Sequence, residues 1–173
     1  MNSKIAPYLI ALIAIVGFGV RAMHWYPILP DNIAIHFGTD GTPNNWSSKI
    51  EFIVIIGGLM VLLLGVFFGL SLILKKLPDS LINLPNKEYW LAGERRETTI
   101  ATIGQFLNDI GSRTLLLLAV VFELTCRANM SPTQELDSST FLIVFGMFLF
   151  GVVVAIVYLV KNFSIPNSPT LNS

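Results

Sequence analysis

The chain has 173 residues, 53% of them hydrophobic and only 13% charged, with a formal net charge of zero. Soluble domains carry about 25% charged residues, so so little charge cannot cover a globule in water and the bilayer must be the solvent. Zero net charge argues against a nucleic-acid binder. The single cysteine, Cys126, excludes an intramolecular disulfide and a cysteine zinc site.

Met1 to Lys4 is a short polar start, and Ile5 to Val20 is apolar and uncharged. The run is longer than the apolar core of a secretory signal, and no A-x-A-like site follows it. It reads as a retained span over residues 5–25, with Arg21 snorkelling and Trp25 and Tyr26 in the interfacial aromatic belt. Tyr26 to Lys49 is a long polar connection rich in turn formers. Ile33, Ile35 and Phe37 alternate with Ala34 and His36, which predicts a short extended segment. Pro27, Pro30, Pro43, Gly38 and Gly41 predict a folded loop rather than a loose one.

The second span covers residues 51–75. Its Gly65 and Gly69 form a G-x-x-x-G pair that permits close approach of another helix. Lys75 to Glu97 is a second polar loop, broken at Pro78 and Pro85, with Tyr89, Trp90 and Leu91 suited to a headgroup surface. A third span, residues 105–127, is the least apolar. Thr98, Thr102, Gln105, Asp109, Arg113, Glu123 and Arg127 fall on one helical stripe, interrupted by Leu116 and Val120. Asp109 with Arg113, and Glu123 with Arg127, are i,i+4 pairs in the favourable orientation. They are expected near the two ends of the span, neutralising each other. A polar loop with its turn at Ser131-Pro132 leads to an uncharged fourth span over 140–161. The tail, 163–173, is rich in Pro, Asn and Ser and is expected to be disordered.

Lys4, Lys75, Lys76, Lys87, Arg95, Arg96 and Lys161 fall on one side of this arrangement, and Lys49, Arg127 and Arg21 on the other. Positive charge in short loops marks the cytoplasmic side. The fold class expected is therefore an all-α integral membrane protein with four transmembrane helices. Both termini would be cytoplasmic, and a structured outward loop would join helices 1 and 2. The domains are a single four-helix unit over 1–162 and the tail.

Chemically, His24, Asp31, His36 and Asp40 could supply metal ligands, but no ligand spacing is matched. The preferred reading is that His36 bonds Asp31 or a backbone carbonyl to hold the loop. Trp46 reads as an interface anchor. Asp109, Arg113 and Glu123, as ionisable residues inside a span, are candidates for an ion or solute route. No G-x-S-x-G, H-E-x-x-H or phosphate-loop motif occurs, and no cofactor is called for.

The loop Leu29-Pro30-Asp31-x-Ile33-x-x-His36-Phe37, followed by Gly41-x-Pro43, Trp46 and Ser48-Lys49, resembles a bacterial membrane domain of unknown function. That domain also forms the N-terminal part of the family of the sporulation-delaying-protein immunity factor, SdpI. Ile82-Asn83-Leu84-Pro85-Asn86-Lys87-x-Tyr89-Trp90-Leu91, with Glu94-Arg95-Arg96, is similar to a second motif of shorter members. Ala34 stands where that family has proline, and Asn44-Asn45 where an aspartate is common.

The resemblance implies a membrane domain with an outward loop, and an immunity or signalling role. With the residues themselves it points to a non-enzymatic, multi-pass protein of the inner or plasma membrane: a sensor, immunity factor or complex subunit. Pro30, Asp31, His36, Phe37, Trp46 and Lys49 would bind a peptide, envelope component or partner protein. Asn86, Lys87, Tyr89, Trp90, Arg95 and Arg96 would make inner-loop contacts. Beyond the bilayer, a protein partner or a homo-oligomer is expected. The alternatives are a small transporter or channel component using the third-span stripe, and a metal-dependent membrane enzyme.

Overall fold

In the computed structural model, which describes residues 4–164, four long helices run α1 (Ala6–Trp25), α2 (Lys49–Lys76), α3 (Arg95–Met130) and α4 (Ser138–Asn162). Strands β1 (Asn32–Phe37) and β2 (Pro43–Ser48) pair antiparallel between α1 and α2. The expected extended segment is therefore one arm of a hairpin, and the all-α expectation is corrected by this small sheet.

Three helices, α1, α2 and α4, are long and apolar enough to cross a membrane. The more polar α3 differs because it is the central post. Tyr8 meets Asn108 and Arg21 meets Glu123, so α1 runs parallel to α3. Phe67 lies against Gly111 and Ser71 against Gly104, so α2 runs antiparallel to it. Arg113 reaches Gly151 of α4, with Thr102 toward Asn162 and Leu124 toward Phe141, so α4 is antiparallel too. Being surrounded, α3 buries polar residues, among them Thr99, Asn108, Ser112, Thr125 and Asn129, whereas α4 has no buried residue. Most large apolar side chains of α1, α2 and α4 face outward while the buried polar residues gather on α3, an arrangement a hydrocarbon solvent favours.

Three clusters hold the post to its neighbours. Leu29, Ile33, Phe52, Phe122 and Cys126 pack at the hairpin end. Ala11, Ala14, Met60 and Leu115 pack in the middle. Leu74, Ile82, Leu91 and Ile100 pack at the far end.

Two expectations about the helices are corrected. Gly65 and Gly69 have nothing within 4 Å of where a side chain would stand, and they bound a single π-helical turn in α2. The close approach is made instead at Gly111 on α3, where a Cβ would lie 2.5 Å from that of Phe67. The third helix also starts at Arg95 and continues to Met130, beyond the expected Arg127. The Ser131-Pro132 turn then follows as expected.

The expected tail lies outside the described residues except for Phe163 and Ser164. Phe163 is only 3% exposed and belongs to the packed body. Its carbonyl accepts hydrogen bonds from Asn86 Nδ2 at 3.0 Å and from Trp90 Nε1 at 2.8 Å. Two side chains of the second motif thus cap the end of α4.

Candidate functional site

The hairpin sits across the end of the bundle where α1 and α3 finish and α2 and α4 begin. Leu29 and Ile33 anchor it, buried against Phe52 and Phe122. Ala34, next in sequence, is equally buried, so strict alternation fails here. The reason is Asn129, near the end of α3. Its Oδ1 accepts the Ala34 N–H at 2.7 Å, and its Nδ2 donates to the Ala34 carbonyl at 2.8 Å and to the Thr125 carbonyl at 2.9 Å. One amide side chain thus behaves as the next strand of the sheet, pairing both backbone groups of a residue that water cannot reach. Proline at position 34 has no N–H and would forfeit the first of these bonds.

The other arm is tied at its base. Ser48 caps α2 by accepting from the Glu51 N–H, and Glu51 answers to the Ser48 N–H, completing a capping box. Lys49 turns inward. Its Nζ donates to the Leu29 carbonyl at 2.9 Å, lies 3.1 Å from the Asp31 carboxylate and stands 5.2 Å from the Tyr26 ring centre. At the tip, Gly41 has φ +85° and its carbonyl accepts the Leu136 N–H at 2.9 Å. A Cβ there would be 2.8 Å from the Leu136 carbonyl oxygen, so only glycine fits. The tip is thereby joined to the α3–α4 connection.

What remains exposed is polar. Asp31 is 99% exposed at its side chain apart from its contact with Lys49. His36 Nδ1 lies 2.5 Å from Asn44 Oδ1 across the hairpin, so His36 holds the loop through Asn44 rather than through Asp31 or a carbonyl. Trp46 is 45% exposed. The open edge of β2 is partly closed by nearby side chains, since Asn45 Oδ1 accepts the Trp46 N–H and Glu51 of α2 the Ser48 N–H. Phe37 and His36 line a groove of about 560 Å³ against Leu124 of α3 and Phe141 of α4. Of the residues expected to bind, His36 and Phe37 are thus brought together, Asp31 and Lys49 are paired, and Pro30 and Trp46 stand on the surface.

The proposed metal ligands do not converge. Asp40 accepts from the Thr42 hydroxyl and N–H, His24 stacks edge-on against Trp25, and Asp31 pairs with Lys49. Among the described residues no group of three or more His, Cys, Asp or Glu side chains could hold a metal ion. The Thr42 hydroxyl holds the Asp40 carboxyl below its usual range, and the Thr140 hydroxyl does the same for Asp137, the cap of α4. A lowered folded-state value means that both contribute stability at neutral pH and lose it only as pH falls through that lowered value.

Beneath the hairpin, Glu123 has more partners than the sequence implied. It accepts Arg21 Nε at 2.8 Å, Arg21 Nη2 at 2.9 Å, Trp25 Nε1 at 2.8 Å and Arg127 Nε at 2.7 Å. Arg21 therefore does not snorkel; it forks onto Glu123 and ties α1 to α3. Asp109 and Arg113 form the expected fork, at 2.9 and 3.1 Å. Because α3 starts at Arg95, however, that pair lies near the middle of the helix rather than toward its end. At the opposite end of the bundle the six inner-loop residues are used largely inward. Asn86 and Trp90 cap α4, Arg96 bonds Asp79 and the Leu77 carbonyl, and Arg95 covers the Tyr89 ring at 4.1 Å. Lys87 opens the short helical turn Lys87–Trp90.

Residues 12–61, which take in most of α1, the hairpin and the first half of α2, match the family model of a domain of unknown function, DUF1648. No curated protein and no solved structure matches the chain.

Proposed function

We propose that the chain is a four-span protein of the inner or plasma membrane with cytoplasmic termini, and that its hairpin faces outward as a binding platform. On this reading α3 is the fourth span. At about 54 Å it exceeds the roughly 30 Å hydrocarbon core, so its Arg95 end projects into the cytoplasm. The protein is a non-enzymatic sensor, immunity factor or complex subunit. Its occupant is a peptide, envelope component or partner protein met by Asp31, His36, Phe37 and Trp46.

One observation carries this reading. The hairpin's backbone is fixed by side chains from two helices, through Asn129 and Lys49, while its polar face is left exposed. A surface held in place before binding loses little freedom on binding. The partly closed β2 edge favours capture by side chains over strand addition. Asn86, Trp90 and Arg96 serve the fold, leaving Lys87, Tyr89 and Arg95 for any contact at the cytoplasmic face.

The test is capture of a partner from solubilised membranes, quantified against the purified partner once it is known. His36→Ala with Trp46→Ala is expected to leave insertion unchanged and thermal stability nearly so, because the His36–Asn44 bond is exposed, and to weaken binding tenfold or more, about 1.4 kcal/mol. Full-strength capture by the double variant would contradict the platform.

A second reading, a small transporter or channel component, draws support from a cavity of about 470 Å³ beside Asp109 and Arg113. Against it stands the apolar continuation of the stripe at Leu116, which is exposed, and Val120.

A further inference from the structure

The cavity beside Asp109 and Arg113 is a groove with an open side. Helices α1 and α4 both pack on α3 but nowhere approach each other within 8 Å between Cα atoms among the described residues. The gap between them exposes the polar stripe of α3. Ala6, Pro7, Val154 and Ala155 form its apolar lips. At Thr102 and Asn162 it runs into a second cavity, of about 430 Å³, which reaches Glu94, Arg95 and Thr98 at the end of the bundle.

Arg113 is the deep end. Its side chain is 42% exposed, although it lies beside Gly151, close to the midpoint of α4. A Cβ at Gly151 would stand 2.6 Å from Arg113 Nη1, so α4 leaves room for the guanidinium at this height. Of five N–H donors, Arg113 spends two, both on Asp109. The other three are left unspent beside a groove that, in a bilayer, opens sideways between α1 and α4 onto acyl chains without acceptors. A charged group so placed is costly unless something polar meets it. An occupant of the groove that satisfies Arg113 brings acceptors to it.

It must also tolerate Asp109, whose oxygens keep free lone pairs beside the same groove. A plain anion would be repelled by that carboxylate and a plain cation by the guanidinium. A headgroup carrying both signs satisfies both. The α1–α4 gap offers the hydrocarbon an exit that no enclosed pocket would. We infer that this groove holds the zwitterionic headgroup of a phospholipid, its phosphate on Arg113 and its ammonium on Asp109, with the acyl chains leaving between α1 and α4. This rests on the membrane placement of α3 and is independent of what the hairpin binds.

The test uses the full chain, recovered from carbonate-washed membranes in mild detergent. It is offered equal amounts of an ethanolamine and a glycerol phospholipid with identical chains, and the complexes are read by native mass spectrometry. The expected result is one retained ethanolamine lipid per chain, favoured at least about fivefold over the anionic glycerol lipid. Two variants should abolish the preference. Asp109→Asn with Arg113→Gln removes both charges and leaves polar amides in their place. Ala155→Trp obstructs the lip and touches neither charge. Equal binding of the two lipids, a preference for the anionic one, or a preference unchanged in Ala155→Trp would overturn the proposal. A chain that leaves with the carbonate wash would overturn the membrane placement, and this site with it.

Discussion

Replacing Asn129 with leucine is expected to destabilise the protein by about 3 kcal/mol and to release the hairpin. The side chain is buried and of similar size in both residues, so the loss is one of hydrogen bonds rather than of packing. Asn129 makes three, two of them to the N–H and carbonyl of Ala34, a residue with no exposed surface. Leucine would leave both Ala34 groups buried without a partner, at about 1–3 kcal/mol each. The measurement is thermal unfolding in detergent alongside limited proteolysis of the Gly38–Thr42 turn. Asn129→Asp supplies the control. It keeps the acceptor for the Ala34 N–H but sets a buried carboxylate oxygen against the Ala34 and Thr125 carbonyls, so at neutral pH it should destabilise at least as much as leucine and recover in part as the carboxyl is protonated at lower pH.

Glu123→Ala should cost about 2–4 kcal/mol. Removing one partner of a fully buried pair costs about 3–5 kcal/mol, because the other charge is left unmet. Here the orphan is Arg21, whose side chain is 38% exposed, so part of the cost is recovered by solvent or headgroups. The Trp25 indole N–H also loses its acceptor. The informative comparison is Arg127→Ala. Arg127 bonds the same carboxylate from the neighbouring turn, but its side chain is 68% exposed, and exposed pairs contribute about 0–1 kcal/mol. Its loss should be nearly silent. An equal effect of the two substitutions would mean that the helical pair, not the α1–α3 bridge, holds the post.

That contrast shows where sequence reading stops. Spacing along one helix is visible in a sequence, so Glu123 with Arg127 and Asp109 with Arg113 could both be read in advance. The Arg21 bridge joins residues 102 positions apart, and nothing local announces it. The three apolar helices and the extended segment at Ile33 were legible because hydropathy and period are local properties. The second strand was not, because Pro43–Ser48 carries no apolar alternation; it pairs through β1 and the capped start of α2. Asn129 was hidden for a related reason. The polar run from Arg127 to Ser139 reads as loop in the sequence, although the helix continues three residues beyond Arg127. The G-x-x-x-G pair was the opposite case, a local pattern whose partner the fold does not supply among the described residues.

The candidate site was half legible. His36, Phe37 and Trp46 are on the surface where a binding role needs them. Lys49, part of the same motif, faces inward and holds the loop, because a lysine at the first turn of α2 finds the Leu29 carbonyl and Asp31 within reach. The motif therefore mixes residues that build the platform with residues the platform presents. Only three-dimensional placement separates them.

The account turns on which way the hairpin faces, and impermeant maleimide labelling of intact cells tests this directly. Cys126 is fully buried and can remain. Thr39→Cys, at the exposed hairpin tip, should react from outside. Ala92→Cys, on the exposed connection before α3, should react only after the membrane is opened. Labelling of Ala92→Cys in intact cells, with Thr39→Cys protected, would contradict the outward platform.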